Sequence, residues 1–184
     1  MTVLDEPESG TPPTSSDDDG DGDGDGLVPE ALDPRNRKLS EVAKKLVVPE
    51  GIIGSYWPRI RDTCNLRLGL SLDKWQDGIA GLMLAYRDTG ELAHTVGGFG
   101  MTLPRQVGKT HTVVSVMFGL CIEHPGLLAI WTSHHVKTNS ETFQAVQSYC
   151  KREKIKPFIK KVYLGSGDEA VEFVNGSRIL FGAR

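Results

Sequence analysis

A short run of residues beginning at Pro104 combines side chains suited to binding phosphate. The run reads Pro104-Arg105-Gln106-Val107-Gly108-Lys109-Thr110. Proteins bind a nucleoside triphosphate with converging backbone N–H groups, a helix N-terminus, a lysine and a hydroxyl that ligates Mg²⁺. Gly108 allows a close backbone approach, Lys109 reaches the β- and γ-oxygens, and the Thr110 hydroxyl is suited to Mg²⁺. The run therefore predicts a binding loop for ATP and Mg²⁺.

The loop departs from the usual phosphate-binding pattern at one position. In G-x-x-x-x-G-K-[ST] the first glycine falls on Leu103 of this chain. A bare Gly-Lys-Thr is common by chance, and the alternative is an ordinary surface helix that starts with a lysine. A predicted strand before the loop, and an apolar helix and a second strand after it, favour the phosphate-binding interpretation.

The altered loop resembles the variant Walker A motif of phage terminase large subunits. In that family the opening glycine is commonly replaced and an arginine lies early in the loop. The resemblance implies that Arg105 acts on the γ-phosphate from within its own chain, where a guanidinium can neutralise transition-state charge. The alternative for Arg105 is a salt bridge that fixes the loop.

A second segment, Leu72-Asp73-Lys74-Trp75-Gln76, resembles the segment that precedes the loop in terminases and related helicase-like motors. The resemblance implies that Gln76 reads the adenine edge, since an amide offers both a donor and an acceptor. The alternative is an exposed helix glutamine. We expect Trp75 to be a core residue rather than a platform on which a base stacks.

The terminase resemblance covers roughly residues 40–184 and carries several expectations. A complete terminase large subunit hydrolyses ATP to move double-stranded DNA into a capsid in the host cell cytoplasm. Its partners are the portal and the small terminase subunit, and it can form homo-oligomers. Another P-loop DNA motor, such as a helicase or a restriction-type translocase, and a truncated or split-gene product that docks with a second polypeptide stay open as alternatives.

ATP hydrolysis also needs an acidic pair at the end of a buried strand, to hold Mg²⁺ and orient water. Asp168-Glu169 spells such a pair, but it follows the flexible Gly165-Ser166-Gly167 and opens a predicted hairpin. The acidic strand and the nuclease domain expected of terminases are not among these residues. We therefore expect this chain alone to bind nucleotide with little turnover.

The elements around the loop predict an α/β fold. We predict a strand over residues 95–103, an apolar helix after the loop, a strand over residues 127–132 that is buried on both faces, and a helix capped by Thr138 and Glu141. This order is typical of a P-loop NTPase-type parallel sheet flanked by helices, here incomplete. Asn175-Gly176 between two β-type runs predicts a C-terminal β-hairpin.

Upstream of the loop, the pattern predicts two helices. Asp33-Pro34 starts a short amphipathic helix that ends before Pro49, and Ser71 caps a second helix that ends at Thr89-Gly90. Leu72, Trp75, Ile79, Leu82, Met83 and Tyr86 share one face of the second helix.

Charge divides the chain into two regions. Nine of its 24 acidic residues lie in residues 1–26, which contain no lysine or arginine, so the remainder holds 15 acidic and 21 basic residues. We predict a disordered acidic Asp/Gly tail over residues 1–30 and a partial P-loop ATPase domain over residues 31–184. The basic balance of the second region permits contact with nucleic acid.

Cysteine usage and hydropathy favour a reducing cytoplasm. The three cysteines, Cys64, Cys121 and Cys150, form no C-x-x-C pair and are odd in number, which supports neither a disulfide framework nor a zinc site. No apolar run reaches the roughly 20 residues that cross a bilayer. We therefore expect no membrane association.

Overall fold

The computed structural model describes residues 2–3, 33–94, 97–165 and 167–183. Its α-helices in these ranges are α1 (Leu39–Val42), α2 (Trp57–Asp62), α3 (Lys74–Met83), α4 (Lys109–Glu123) and α5 (Val136–Cys150). A π-helix, Thr63–Leu68, continues α2, and 3-10 helices cover Pro34–Asn36 and Lys156–Phe158. The strands are β1 (Thr2–Val3), β2 (Val47–Val48), β3 (Gly54–Ser55), β4 (Ala85–Tyr86), β5 (Leu128–Ser133), β6 (Ile159–Tyr163), β7 (Ala170–Phe173) and β8 (Arg178–Ala183).

The largest sheet has four strands in the order β5-β8-β7-β6. β5 and β8 are parallel, in register from Leu128 opposite Arg178 to Ser133 opposite Ala183. β7 is antiparallel to both β8 and β6. α5 lies in the connection from β5 to β8 and contacts both strands. The carboxyl ends of the two parallel strands therefore meet at one edge of the sheet.

The helix α4 lies at the centre of the core, and eight of its 15 residues are buried. Its Phe118 meets Phe173 of β7 edge to face, with ring centroids 5.4 Å apart. On a neighbouring side of α4, a Cβ at Gly119 would come within 2.5 Å of Ile60 in α2. Burying one large apolar side chain stabilises a fold by about 1.5–3 kcal/mol. This packing fixes α4 and therefore the loop at its N-terminus.

The strand predicted over residues 95–103 does not form in the part of it that the structure describes. Residues 97–103 have no regular structure, while Thr95 and Val96 lie outside the described residues. Gly97 and Gly98 have φ values of 88° and 69°, which are not those of an extended strand. No strand therefore holds the start of the loop of residues 104–110 among the described residues, and its position depends on α4, which follows it.

The predicted parallel sheet is confirmed only for the β5–β8 pair, and the described fold is mixed α/β. The prediction that the strand after α4 is buried on both faces is wrong. In β5, Leu128 is 49% exposed and Ile130 is 65% exposed. Ala129 and Trp131, on the other face, pack against the core. One face of β5 is therefore uncovered among the described residues.

The C-terminal β-hairpin is confirmed. β7 and β8 are antiparallel, and Gly176 in the turn has a φ of 86°. The Asn175 Nδ2 group donates hydrogen bonds to the carbonyl oxygens of Cys121 at 2.8 Å and Ile122 at 3.3 Å. Because the last carbonyls of a helix have no intrahelical partner, Asn175 also caps the end of α4.

Several predicted helix ends were wrong. α3 begins at Lys74, where Asp73 and Gln76 form the capping box, and it ends at Met83. The predicted capping box of Thr138 and Glu141 lies inside α5, because His135 is the N-cap residue. The first predicted helix is divided between the 3-10 helix Pro34–Asn36 and the short α1.

Most of the predicted acidic tail, residue 1 and residues 4–30, lies outside the described residues, while Thr2–Val3 pairs with Val47–Val48. Among the helices that the structure describes, we find none with the length and apolar character needed to cross a membrane.

Candidate phosphate-binding site

Gly108 joins the loop to α4 and has a conformation that favours glycine. Its φ of 85° and ψ of 18° are left-handed. Its carbonyl oxygen accepts hydrogen bonds from the Thr112 backbone N–H at 2.9 Å, the Thr112 hydroxyl at 3.1 Å and the Gln76 Nε2 group at 3.4 Å. A Cβ at Gly108 would lie 2.5 Å from Gln76 Nε2. Both the left-handed φ of Gly108 and the close approach of the Gln76 side chain therefore require glycine at this position.

The backbone reverses sharply just before Gly108. Gln106 has a φ of 64°, a left-handed value that a non-glycine residue adopts at a cost of about 1–2 kcal/mol. Such strain is concentrated at functional sites. The backbone N–H groups of Lys109 and Thr110 donate to no acceptor among the described residues. The start of α4 thus presents free donors and the positive end of a helix dipole, as an anion site requires.

Lys109 spans the loop on its exposed side. Its Nζ group donates a hydrogen bond at 3.1 Å to the carbonyl oxygen of Leu103, the residue at the position of the missing first glycine. Thr110, also exposed, lies in the first turn of α4. The ammonium and the hydroxyl predicted to bind phosphate and Mg²⁺ therefore belong to exposed residues where the loop joins α4.

Arg105 is exposed, as is Pro104 before it. The alternative role for Arg105 is a salt bridge that fixes the loop. No ion pair or hydrogen bond of its side chain occurs among the described residues. The guanidinium is therefore available to a ligand at the loop.

Gln76 is not an exposed helix glutamine, because only 4% of it is accessible to solvent. Its Oε1 atom accepts the Asp73 backbone N–H at 2.9 Å, and its Nε2 group donates to Gly108. An amide has two donor hydrogens and two acceptor lone pairs, so these bonds leave one of each. Gln76 thus ties the start of α3 to the start of α4 and keeps capacity for a ligand.

A cavity of about 510 Å³ opens beside Gln76, between the N-terminal ends of α3 and α4. This volume is typical of small-molecule sites. Trp75 is half-buried and lines the cavity, so our prediction of a core tryptophan was wrong. The lining residues are Arg37, Val42, Ser71, Asp73, Trp75, Gln76, Gln106, Val107, Gly108 and His111.

The sequence reasoning missed His111, whose only signal was its place directly after Thr110. The imidazole Nε2 atom lies 3.0 Å from the Ser71 carbonyl oxygen, and Nδ1 lies 2.9 Å from the Tyr149 hydroxyl. Since a carbonyl can only accept, Nε2 carries a proton. The His111 and Tyr149 rings are stacked with centroids 5.9 Å apart. His111 thus connects the cavity wall to α5.

Two other polar segments lie near the carboxyl ends of the parallel strands. His134 and His135 are exposed after β5, with ring centroids 4.2 Å apart. Asp168 and Glu169 immediately precede β7, as expected for residues that open the hairpin, and the Asn139 Nδ2 group donates to Glu169 at 3.2 Å. The described residues contain no cluster of three or more metal-ligating side chains.

Comparison with known proteins does not place the chain in a family. No protein-family model matches it, and neither a curated protein nor a solved structure does so. The terminase resemblance therefore rests on the loop and on the segment that contains Gln76.

Proposed function

We propose that this chain binds ATP with Mg²⁺ through residues 104–110, as the ATP-binding part of a phage terminase large subunit. One observation carries the proposal: left-handed Gly108, whose carbonyl is held by Gln76 and Thr112, opens a 15-residue helix with free N–H groups. This arrangement concentrates donors and positive potential where a triphosphate needs them.

Each polar residue of the loop has a role in this proposal. The first backbone N–H groups of α4 donate hydrogen bonds to the β-phosphate oxygens. The Lys109 ammonium leaves the Leu103 carbonyl oxygen and binds phosphate oxygens instead. The Thr110 hydroxyl ligates Mg²⁺. Arg105 approaches the γ-phosphate, where its positive charge counters the charge that develops as the terminal P–O bond breaks.

The adjoining cavity is the proposed site of the adenine base. Trp75 and His111 offer ring surfaces, and Gln76 keeps one donor and one acceptor for the base edge. The position of this cavity beside Gly108 supports a nucleoside triphosphate over inorganic phosphate alone.

In the complete motor, hydrolysis of this ATP would drive double-stranded DNA into a capsid, with the portal and the small terminase subunit as partners in the host cytoplasm. A helicase or a restriction-type translocase is the alternative motor. Leu103 in place of the first glycine and Arg105 within the loop favour the terminase. We expect the present chain to bind ATP with little turnover.

Calorimetric titration of Mg-ATP into the full chain tests the proposal. Lys109→Ala should weaken ATP binding by at least tenfold, since the loss of one charge-assisted contact costs about 1.5–3 kcal/mol. Lys137→Ala is the matched control, because Lys137 is also an exposed lysine in the first turn of a 15-residue helix. Equal ATP affinities for the wild type and Lys109→Ala would refute the proposed site.

A further inference from the structure

A strongly basic surface lies beyond the end of α5, outside the candidate nucleotide site. Its members are Arg67, Lys151, Arg152, Lys154 and Lys156, which are all exposed. The Lys154 side chain covers Gly69, with its Cδ atom 2.9 Å from the position of a Cβ there. The Arg67 guanidinium lies over the Phe158 ring at 5.0 Å. These contacts bring residues 67–69 and 151–158 together, and we call the five cations the basic face.

Acidic side chains do little to neutralise the basic face. Glu153 is the one acidic residue between Lys151 and Lys156. Among the described residues, only Arg67 of the five has an acidic partner, Glu123 at 3.6 Å. An exposed cation without a partner keeps its full charge for an external anion. The remaining four cations are thus available together.

Aromatic rings hold both arginines of the basic face in place. The Arg152 guanidinium lies 4.1 Å from the centroid of the Tyr149 ring, and the Arg67 guanidinium lies 5.0 Å from the centroid of the Phe158 ring. A guanidinium over a ring keeps its in-plane N–H groups free for phosphate oxygens. Because the side chain is already ordered, less conformational entropy is lost on binding.

We propose that the basic face binds the phosphodiester backbone of double-stranded DNA. Regularly spaced phosphates suit several separate cations, and their binding releases condensed counterions. The choice of DNA among polyanions rests on the proposed function. A chain of contacts to the candidate nucleotide site supports it over a lipid surface: Arg152 lies over the Tyr149 ring, and the Tyr149 hydroxyl contacts His111 at 2.9 Å in the cavity wall.

Fluorescence anisotropy of a short labelled DNA duplex, measured with the full chain at several salt concentrations, tests this proposal. Lys151→Gln/Lys156→Gln removes two charges of the basic face from exposed side chains. Binding should weaken on the order of tenfold at low salt, and the slope of log K against log salt should become shallower by about 1.8. The control Lys44→Gln/Lys45→Gln removes two exposed charges elsewhere and should change the affinity by less than about threefold.

Three results would overturn the proposal. They are equal weakening by both double variants, a salt slope that does not change in Lys151→Gln/Lys156→Gln, or binding to phosphatidylserine vesicles without binding to the duplex. Thermal unfolding of each variant checks that its fold is intact. Titration of Mg-ATP into Lys151→Gln/Lys156→Gln should give the wild-type affinity, so failure of the DNA surface and failure of the nucleotide site are distinguishable.

Discussion

The side-chain amide of Gln76 donates a hydrogen bond to the carbonyl oxygen of Gly108 across 3.4 Å, from a residue 32 positions earlier in the chain. The Oε1 atom of the same amide accepts a hydrogen bond from the backbone N–H of Asp73, the N-cap residue of α3. One buried side chain therefore links the candidate phosphate-binding loop to the wall of the neighbouring cavity.

Replacing Gln76 should affect both stability and nucleotide binding. Gln76→Ala removes two hydrogen bonds and leaves the Asp73 N–H without its cap, so we expect the free energy of unfolding to fall by about 1–3 kcal/mol. ATP affinity should fall because the loop loses its link to α3. Urea denaturation and calorimetry measure the two effects. Gln144→Ala, in the exposed part of α5, is the control and should change neither quantity.

Substitution of Gly108 separates backbone strain from steric conflict. Gly108→Ala adds a methyl group 2.5 Å from Gln76 Nε2 at a φ of 85°. Gly126→Ala introduces an alanine at a similar φ of 76° with nothing within 4 Å. We expect Gly126→Ala to destabilise the fold by about 1 kcal/mol, and Gly108→Ala to cost more and to weaken ATP binding. Identical unfolding energies for the two variants would contradict the close approach of Gln76.

Removal of Mg²⁺ tests the role of Thr110. Chelation by EDTA should weaken ATP binding to the wild type, because in the proposed site the Thr110 hydroxyl would hold the Mg²⁺ ion that accompanies ATP. In Thr110→Ala the affinity should be low with Mg²⁺ and should change little on chelation. Thr110→Ser keeps the hydroxyl and should restore the Mg²⁺ dependence. An equal effect of EDTA on wild type and Thr110→Ala would argue against Thr110 as a metal ligand.

Glu123, at the end of α4, should make stability depend on acid pH. The hydrogen bond from Thr63, together with the guanidinium groups of Arg59 and Arg67, lowers the pKa of Glu123 below its usual range. The folded chain thus releases this proton more readily than the unfolded chain, and the stabilisation is present at neutral pH and lost as pH falls through the lowered pKa.

We therefore expect Glu123→Gln to cost about 1–2 kcal/mol at neutral pH, with exposure of Arg59 limiting the effect. The difference from wild type should disappear in acid. Urea denaturation across pH measures it, and Glu141→Gln, an exposed change in α5, should show no such trend. A difference that persisted at low pH would exclude charge as its cause.

The three buried cysteines should make stability depend on alkaline pH. Burial raises the pKa of Cys64 and Cys121 to about 12 and that of Cys150 to about 11. The unfolded chain loses these protons near pH 9, so the free energy of unfolding should fall as pH rises above about 9, by up to about 1.4 kcal/mol per pH unit for each thiol. Cys121→Ala should show a shallower decline than wild type.

The same burial predicts slow reaction of the native thiols with an aromatic disulfide reagent at neutral pH, since the thiolate is the reactive form. The urea-unfolded chain should react at all three positions at once. Rapid labelling of any thiol in the native chain would show that the core opens more readily than its packing indicates.

Features that depend on local residue types were predictable. Asn175-Gly176 determines a tight turn, because glycine adopts a left-handed φ without cost. The apolar residues after Thr110 determine a buried helix, and α4 follows Gly108 as predicted. Residues 97–103 show the limit of this reasoning, since a β-type pattern that contains left-handed glycines does not form a strand in the structure.

Residue types alone predict a loop that suits a triphosphate and the helix that follows it. The burial of Gln76 against Gly108, the cavity that Trp75 and His111 line, and the exposed face of β5 follow from the assembled fold. The physical reason is distance along the chain. Hydrogen bonds and packing between residues tens of positions apart depend on how α3, α4 and α5 pack together. A local pattern of residue types does not predict that packing.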